Sequence, residues 1–211
     1  MPGTDTLQLL DRSPFLFRVA KGMVRRNLPG GWKLFTALDR VGYLNNKLVK
    51  YPVNQNYSVF VPIYSQDRWD GLDLLNYEHR VISALVEAAS KCVGDLTIVD
   101  CGANIGLISV FLAARLHAAV RLVAFEPSET LFPILRQNLA ELPFSAEAIQ
   151  TGVSDLNGRG ELRSPSYDSS DDARYVVQVS EGGFPVTTVD DQRLDTPNLL
   201  IKIDVEGVKS L

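Results

Sequence analysis

From residue 96 onward, short apolar runs alternate with helical segments, and this rhythm restricts the fold more than any other feature of the chain. Leu96-Thr97-Ile98-Val99-Asp100 reads as a strand and Ile105–Leu116 as a helix. Val120–Phe125 is a second strand, Thr130–Leu142 a second helix, Ala148–Val153 a third strand and Leu199–Asp204 a fourth, buried one. Strands that are apolar on both faces and separated by helices belong to a parallel sheet covered on both sides. Right-handed crossovers then make the sheet doubly wound. The expected class is α/β, a doubly wound, mostly parallel, Rossmann-like sheet. Residues 160–190 break the rhythm: Gly160–Arg163, Tyr175–Val179 and Val186–Val189 read as short strands between polar loops, an inserted β excursion.

The N-terminal part is different in kind. Ser13-Pro14 places an N-cap residue before a proline suited to the first helical turn, and Leu16, Val19, Ala20 and Met23 follow at helical spacing. Leu28-Pro29-Gly30-Gly31 stops that helix. A second helix is expected over Trp32–Val41, ending at Gly42. Leu48–Tyr51 and Tyr57–Tyr64 read as a hairpin with an Asn-rich turn at Asn54 and Asn56. A loop with Trp69-Asp70-Gly71 follows, then a helix over 76–90. The organisation expected is a basic helical and hairpin part at 1–75 and a ligand-binding domain at 76–211.

Charge divides the chain in the same way. Residues 1–50 hold nine Lys/Arg against three Asp/Glu, although the whole chain has a net charge of −4. A basic head on an acidic body points to an anionic contact for the head. Its basic amphipathic helix suits a membrane surface or a protein partner; packing on its own domain is the alternative. The acidic body disfavours nucleic acid, whose phosphates it repels. No apolar run reaches the roughly 18–20 residues that span a bilayer, and Asp5 and Asp11 do not suit a secretory leader. Two cysteines without metal-type spacing fit a reducing, cytoplasmic setting. Only two histidines are present, so a His-based zinc site is not expected, and no metal is assigned.

Four strand ends carry the chemistry. The first is Asp100-Cys101-Gly102-Ala103-Asn104-Ile105-Gly106, between strand and helix. Glycines there allow a tight turn and close approach of a ligand, and a helix start offers N–H groups. Asn104 stands where a dinucleotide motif has its second glycine, and the Asp100 carboxylate would repel a pyrophosphate. S-adenosylmethionine has no phosphate and carries a sulfonium and an ammonium, so an acidic residue suits it better. The helix start remains able to hold its carboxylate. A structural tight turn is the plain alternative. The second end is Phe125-Glu126-Pro127, with Glu126 twenty residues after Gly106, where an acid can accept hydrogen bonds from ribose hydroxyls. Third, Ser154 and Asp155 follow the third strand, to pair with an adenine amino group or to form an ordinary turn before Asn157-Gly158. Fourth, Asp204 and Glu206 lie two apart and share a face of an extended chain. They can deprotonate or orient a nucleophile, or hold a cation through oxygens; Glu206 equally suits a helix cap.

At these residues the chain resembles the FkbM family of methyltransferases. The matching pieces are Val99–Gly106, Ala124-Phe125-Glu126-Pro127-Ser128, Asn138-Leu139, Val153-Ser154-Asp155 and Ile201–Gly207, in order across residues 76–207. The resemblance implies a class I methyltransferase fold and methyl transfer from S-adenosylmethionine to a hydroxyl on a sugar, glycan or secondary metabolite. It implies that Asp100, Gly102 and Asn104, in a loop completed by Ala103 and Gly106, hold the methionyl end. Glu126 would hold the ribose and Ser154 and Asp155 the adenine, with Asp204 and Glu206 at the transfer site. The family fold continues with a helix, a fifth strand and a closing antiparallel pair, so a truncated chain is expected, with its fourth strand an apolar edge. The competing expectations are a non-catalytic methyltransferase-like fragment and an NAD(P)-dependent oxidoreductase.

Overall fold

The computed structural model describes residues 7–63, 78–116, 120–163 and 175–205. The loop expected at Trp69-Asp70-Gly71 lies outside these residues, as do Glu206 and Gly207. The chain forms two compact units, Met1–Tyr77 and Glu78–Leu211. Among the described residues no helix is long and apolar enough to cross a membrane.

In the first unit, strand β1 (Gln8–Leu10) precedes helices α1 (Phe15–Arg25) and α2 (Gly31–Arg40) and strands β2 (Lys47–Pro52) and β3 (Ser58–Pro62). α1 begins just after Pro14, whose carbonyl accepts from the Arg18 N–H at 3.0 Å. The turn to α2 needs its glycines. Gly30 has φ +86°, and a Cβ on Gly31 would lie 2.9 Å from the Val24 nitrogen, so α2 starts against the α1 backbone. Phe17, Ala20, Leu38, Leu44, Val49 and Ile63 form the core. The expected hairpin is present: β2 and β3 are antiparallel, with Tyr51 opposite Val59. Asn54 Oδ1 accepts from the N–H groups of Asn56 and Tyr57 and shapes the turn. β1, which pairs parallel with β2, has three residues, too few to show a period.

The second unit holds α3 (His79–Ser90), β4 (Leu96–Cys101), α4 (Leu107–Ala113), β5 (Val120–Phe125), α5 (Phe132–Ala140) and β6 (Ala146–Ile149). Then come β7 (Gly152–Val153), β8 (Gly158–Arg163), β9 (Tyr175–Val179), β10 (Phe184–Thr187) and β11 (Asn198–Ile203). One sheet has the order β11-β4-β5-β6 and is parallel throughout. Its order reverses between β4 and β11, and in such sheets the crevice at that switch point, beyond the carboxyl ends, is where ligands bind. The second sheet, β7-β10-β8-β9, is the expected β excursion.

Three expectations are corrected. The third strand stops at Ile149. Thr151 N–H donates to the Ile149 carbonyl at 3.0 Å, a tight turn that breaks the ladder, and Gly152-Val153 joins β10 of the other sheet. The described helices form one layer rather than two: α3 contacts α4 and α4 contacts α5. The face bearing Val99, Cys101, Val123 and Phe125 is instead packed by Ile149, Val153, Val189, Leu194 and Val205. Lastly, β11 is only half buried. Leu199, Ile201 and Ile203, which share one face, are 45%, 38% and 67% exposed, whereas Lys202 on the other face is buried, so β11 is the apolar edge also expected, covered on one face among the described residues.

Candidate functional site

The strand ends of β4, β5 and β11 meet around the Gly102–Gly106 loop. Gly102, Asn104 and Gly106 all take left-handed φ values, +74°, +54° and +82°. Asparagine is among the few side chains that tolerate this region, which is how Asn104 replaces a glycine. Gly102 cannot gain a side chain, since a Cβ there would collide with the Asp204 carbonyl oxygen. A Cβ on Gly106 would lie 2.9 Å from Leu135 Cδ1, so that glycine lets α4 approach α5.

The backbone N–H groups of this loop are all engaged. Gly102 and Ala103 donate to the Phe125 carbonyl and Gly106 to the Ala103 carbonyl. Asn104 donates to Glu126 Oε2 at 2.9 Å, and Ile105 to Asn104 Oδ1 at 2.8 Å. Sequence spacing predicts loop N–H groups free for a ligand; from Gly102 to Gly106 they are taken. From Gly102 to Gly106 the loop is a self-satisfied turn.

Glu126 is the hub. It is 7% exposed, and its other oxygen accepts from the Ser128 N–H at 2.9 Å. One carboxylate thus ties the β4 loop to the segment after β5. From α5, the fully buried Asn138 donates from Nδ2 to the Ile105 carbonyl at 2.7 Å.

Asp100 lies beneath the loop and is 1% exposed. The sequence predicts its carboxylate aimed at a ligand. Instead Oδ2 accepts from Ser109 Oγ at 2.6 Å, and Oδ1 lies 3.0 Å from Lys202 Nζ. No hydrogen-bond donor among the described residues is directed at Oδ1; the ammonium compensates it by charge, at an angle outside hydrogen-bond geometry. Lys202 also donates to the Gly102 carbonyl at 3.0 Å. Burial, with Asp100 adding, pushes the neighbouring Cys101 thiol up to about 11, Lys202 partly opposing.

Asp204 follows β11 at the switch point. Its N–H donates to the Cys101 carbonyl at 3.0 Å. Its side chain is 69% exposed and 3.5 Å from Lys202 Nζ. The site thus has one open carboxylate beside the loop and two enclosed ones. Glu206, its expected partner, is outside the described residues. Ala103 is buried in the loop. Ser154 and Asp155 come after β7, not at the end of β6. Ser154 N–H donates to the Thr187 carbonyl at 3.0 Å and its Oγ to Asp155 Oδ1 at 2.9 Å. Val153 before them packs on the Val99–Phe125 face. Among the described residues, no three His, Cys, Asp or Glu side chains converge as a metal cage.

Ser109, Ser128 and Lys202 are the contributors that motif spacing misses. A signal for Lys202 does exist: a lysine within the apolar run Leu199–Ile203 needs a buried counter-charge, and Asp100 is its register partner on β4.

No family model matches the chain. A stretch of 63 residues is 38% identical to methyltransferase sdnD of Sordaria araneosa. It covers 29% of this chain and 24% of that protein.

Proposed function

We propose that the second unit is the cofactor-binding part of an S-adenosylmethionine-dependent methyltransferase of the FkbM kind, acting on a hydroxyl of a sugar, glycan or secondary metabolite. One observation carries this most: the open Asp204 carboxylate sits at the switch point against a glycine loop whose N–H groups are all used. A pyrophosphate needs free N–H donors and is repelled by acids; a cationic ligand needs neither the donors nor a positive field. The donor set therefore fits a sulfonium compound better than a dinucleotide. The similarity to methyltransferase sdnD supports the same class.

When bound, S-adenosylmethionine supplies a methyl group already activated by its sulfonium. The chain's own work is then to orient, enclose and accept a proton. Gly102, Ala103, Asn104 and Gly106 provide a close, fixed backbone surface. Asp100 and Lys202 hold that surface from below, and Glu126, assigned to the ribose, holds it from β5. Ser154 and Asp155 are assigned to the adenine. Asp204, exposed and beside the loop, takes the proton of the acceptor hydroxyl, with Glu206 as its neighbour in sequence.

Calorimetric titration of the chain with S-adenosylmethionine, S-adenosylhomocysteine and NADH tests this. Binding of the first two and not the third is expected. Binding of NADH alone makes the unit a nicotinamide site, and binding of none makes it a non-catalytic scaffold; either result ends the proposal.

A further inference from the structure

We propose that the outward side of α1 and α2 docks on an anionic lipid bilayer. α1 is apolar on two sides. Phe17 and Ala20 are fully buried in the core of their own unit, yet Phe15, Leu16 and Val19 remain 67%, 43% and 37% exposed. Their helical positions put Phe15 and Val19 on the side opposite Phe17 and Leu16 on its flank, with the exposed Arg18 between them in sequence. α2 repeats the arrangement. Leu38 is buried inward, whereas Trp32 is 64% exposed, about two helical turns from the exposed Arg40 and next to the exposed Lys33. The core of the unit is complete without these outward residues, so packing on their own unit does not account for them.

The composition of this side selects the occupant. On α1 and α2 the exposed cations Arg18, Lys33 and Arg40 stand against one exposed acid, Asp39. Exposed Trp and Phe interleaved with cations match the boundary between headgroups and acyl chains, where aromatic rings sit shallowly and cations meet anionic headgroups. An acidic protein surface would satisfy the cations but would leave Phe15 and Trp32 unmatched.

Co-sedimentation of the full chain with vesicles of phosphatidylcholine alone, and of phosphatidylcholine with phosphatidylglycerol, tests the proposal. Pelleting is expected with the anionic vesicles and weakens with salt. Two paired variants, Arg18→Glu with Lys33→Glu and Phe15→Ser with Trp32→Ser, should each lower partitioning about tenfold. Trp32 stacks edge-on with Phe35, so a disturbed fold in the second variant leaves the charge-reversal pair as the deciding measurement. Absence of pelleting, wild-type partitioning of the charge-reversal pair, or tighter binding to polyglutamate than to anionic vesicles would overturn it.

Discussion

Lys202 Nζ stands 3.0 Å from Asp100 Oδ1, with the two side chains 8% and 1% exposed, so β11 and β4 are joined by an ion pair cut off from water. Such a pair contributes little net stability but is costly to break on one side, because the remaining charge stays buried. Lys202→Met should lower unfolding free energy by about 3–5 kcal/mol in urea titration. Adding Asp100→Asn, which keeps an acceptor for Ser109, should recover most of that loss. If the double variant is no more stable than the single one, the pair is not the reason.

The glycine loop should rank its substitutions by shape. Gly102→Ala forces a left-handed residue against the Asp204 carbonyl and is expected to cost about 3 kcal/mol, strain and overpacking together. Asn104→Gly keeps φ and loses only the side-chain bond to the Ile105 N–H, about 1 kcal/mol. Asn104→Val should resemble Gly102→Ala, since a β-branched residue resists that φ. Thermal melts of the three proteins give the order.

Glu126→Gln tests the hub. Both carboxylate oxygens accept backbone N–H bonds, and an amide offers only one oxygen. One donor, Asn104 or Ser128, would then face an NH2 group. We expect a loss of about 1–3 kcal/mol and faster amide exchange at that residue. Under the proposed function, S-adenosylmethionine affinity should also fall about tenfold, which is 1.4 kcal/mol.

Cys101 sets an alkaline limit. Its thiol is raised from 9.0 to about 11, so the unfolded chain loses this proton first as pH rises. Stability is therefore full below pH 9 and falls between pH 9 and 11, by about 2–3 kcal/mol. Cys101→Ala should flatten that slope in unfolding titrations. For the same reason iodoacetamide at pH 8 should label Cys92, which is partly exposed, and reach Cys101 only on unfolding.

The parallel sheet was legible because β4 and β5 are continuous apolar runs, and a buried parallel strand has few other patterns open to it. The hairpin was legible through Asn54. The end of β6 was not: Ala148–Val153 is one apolar run on paper, and only the turn at Thr151 divides it between two sheets. The residues at the loop were found by spacing, whereas their orientation was not. Asp100 reads as a ligand-facing acid until Lys202, far along the chain, claims it. Glu126 reads as a ribose acceptor, yet its first partners are backbone groups that no residue type announces.

The bond from Lys202 to the Gly102 carbonyl closes a gap of 100 residues. A ribosome adding about 5–20 residues per second makes Lys202 some seconds after Asp100. During that interval β4, β5 and β6 can already associate, but the carboxylate beneath the loop has no counter-ion and must keep its water. The final drying of the loop therefore waits for β11, and a nascent chain halted before Asn198 holds the glycine turn in sequence without the charge that seats it.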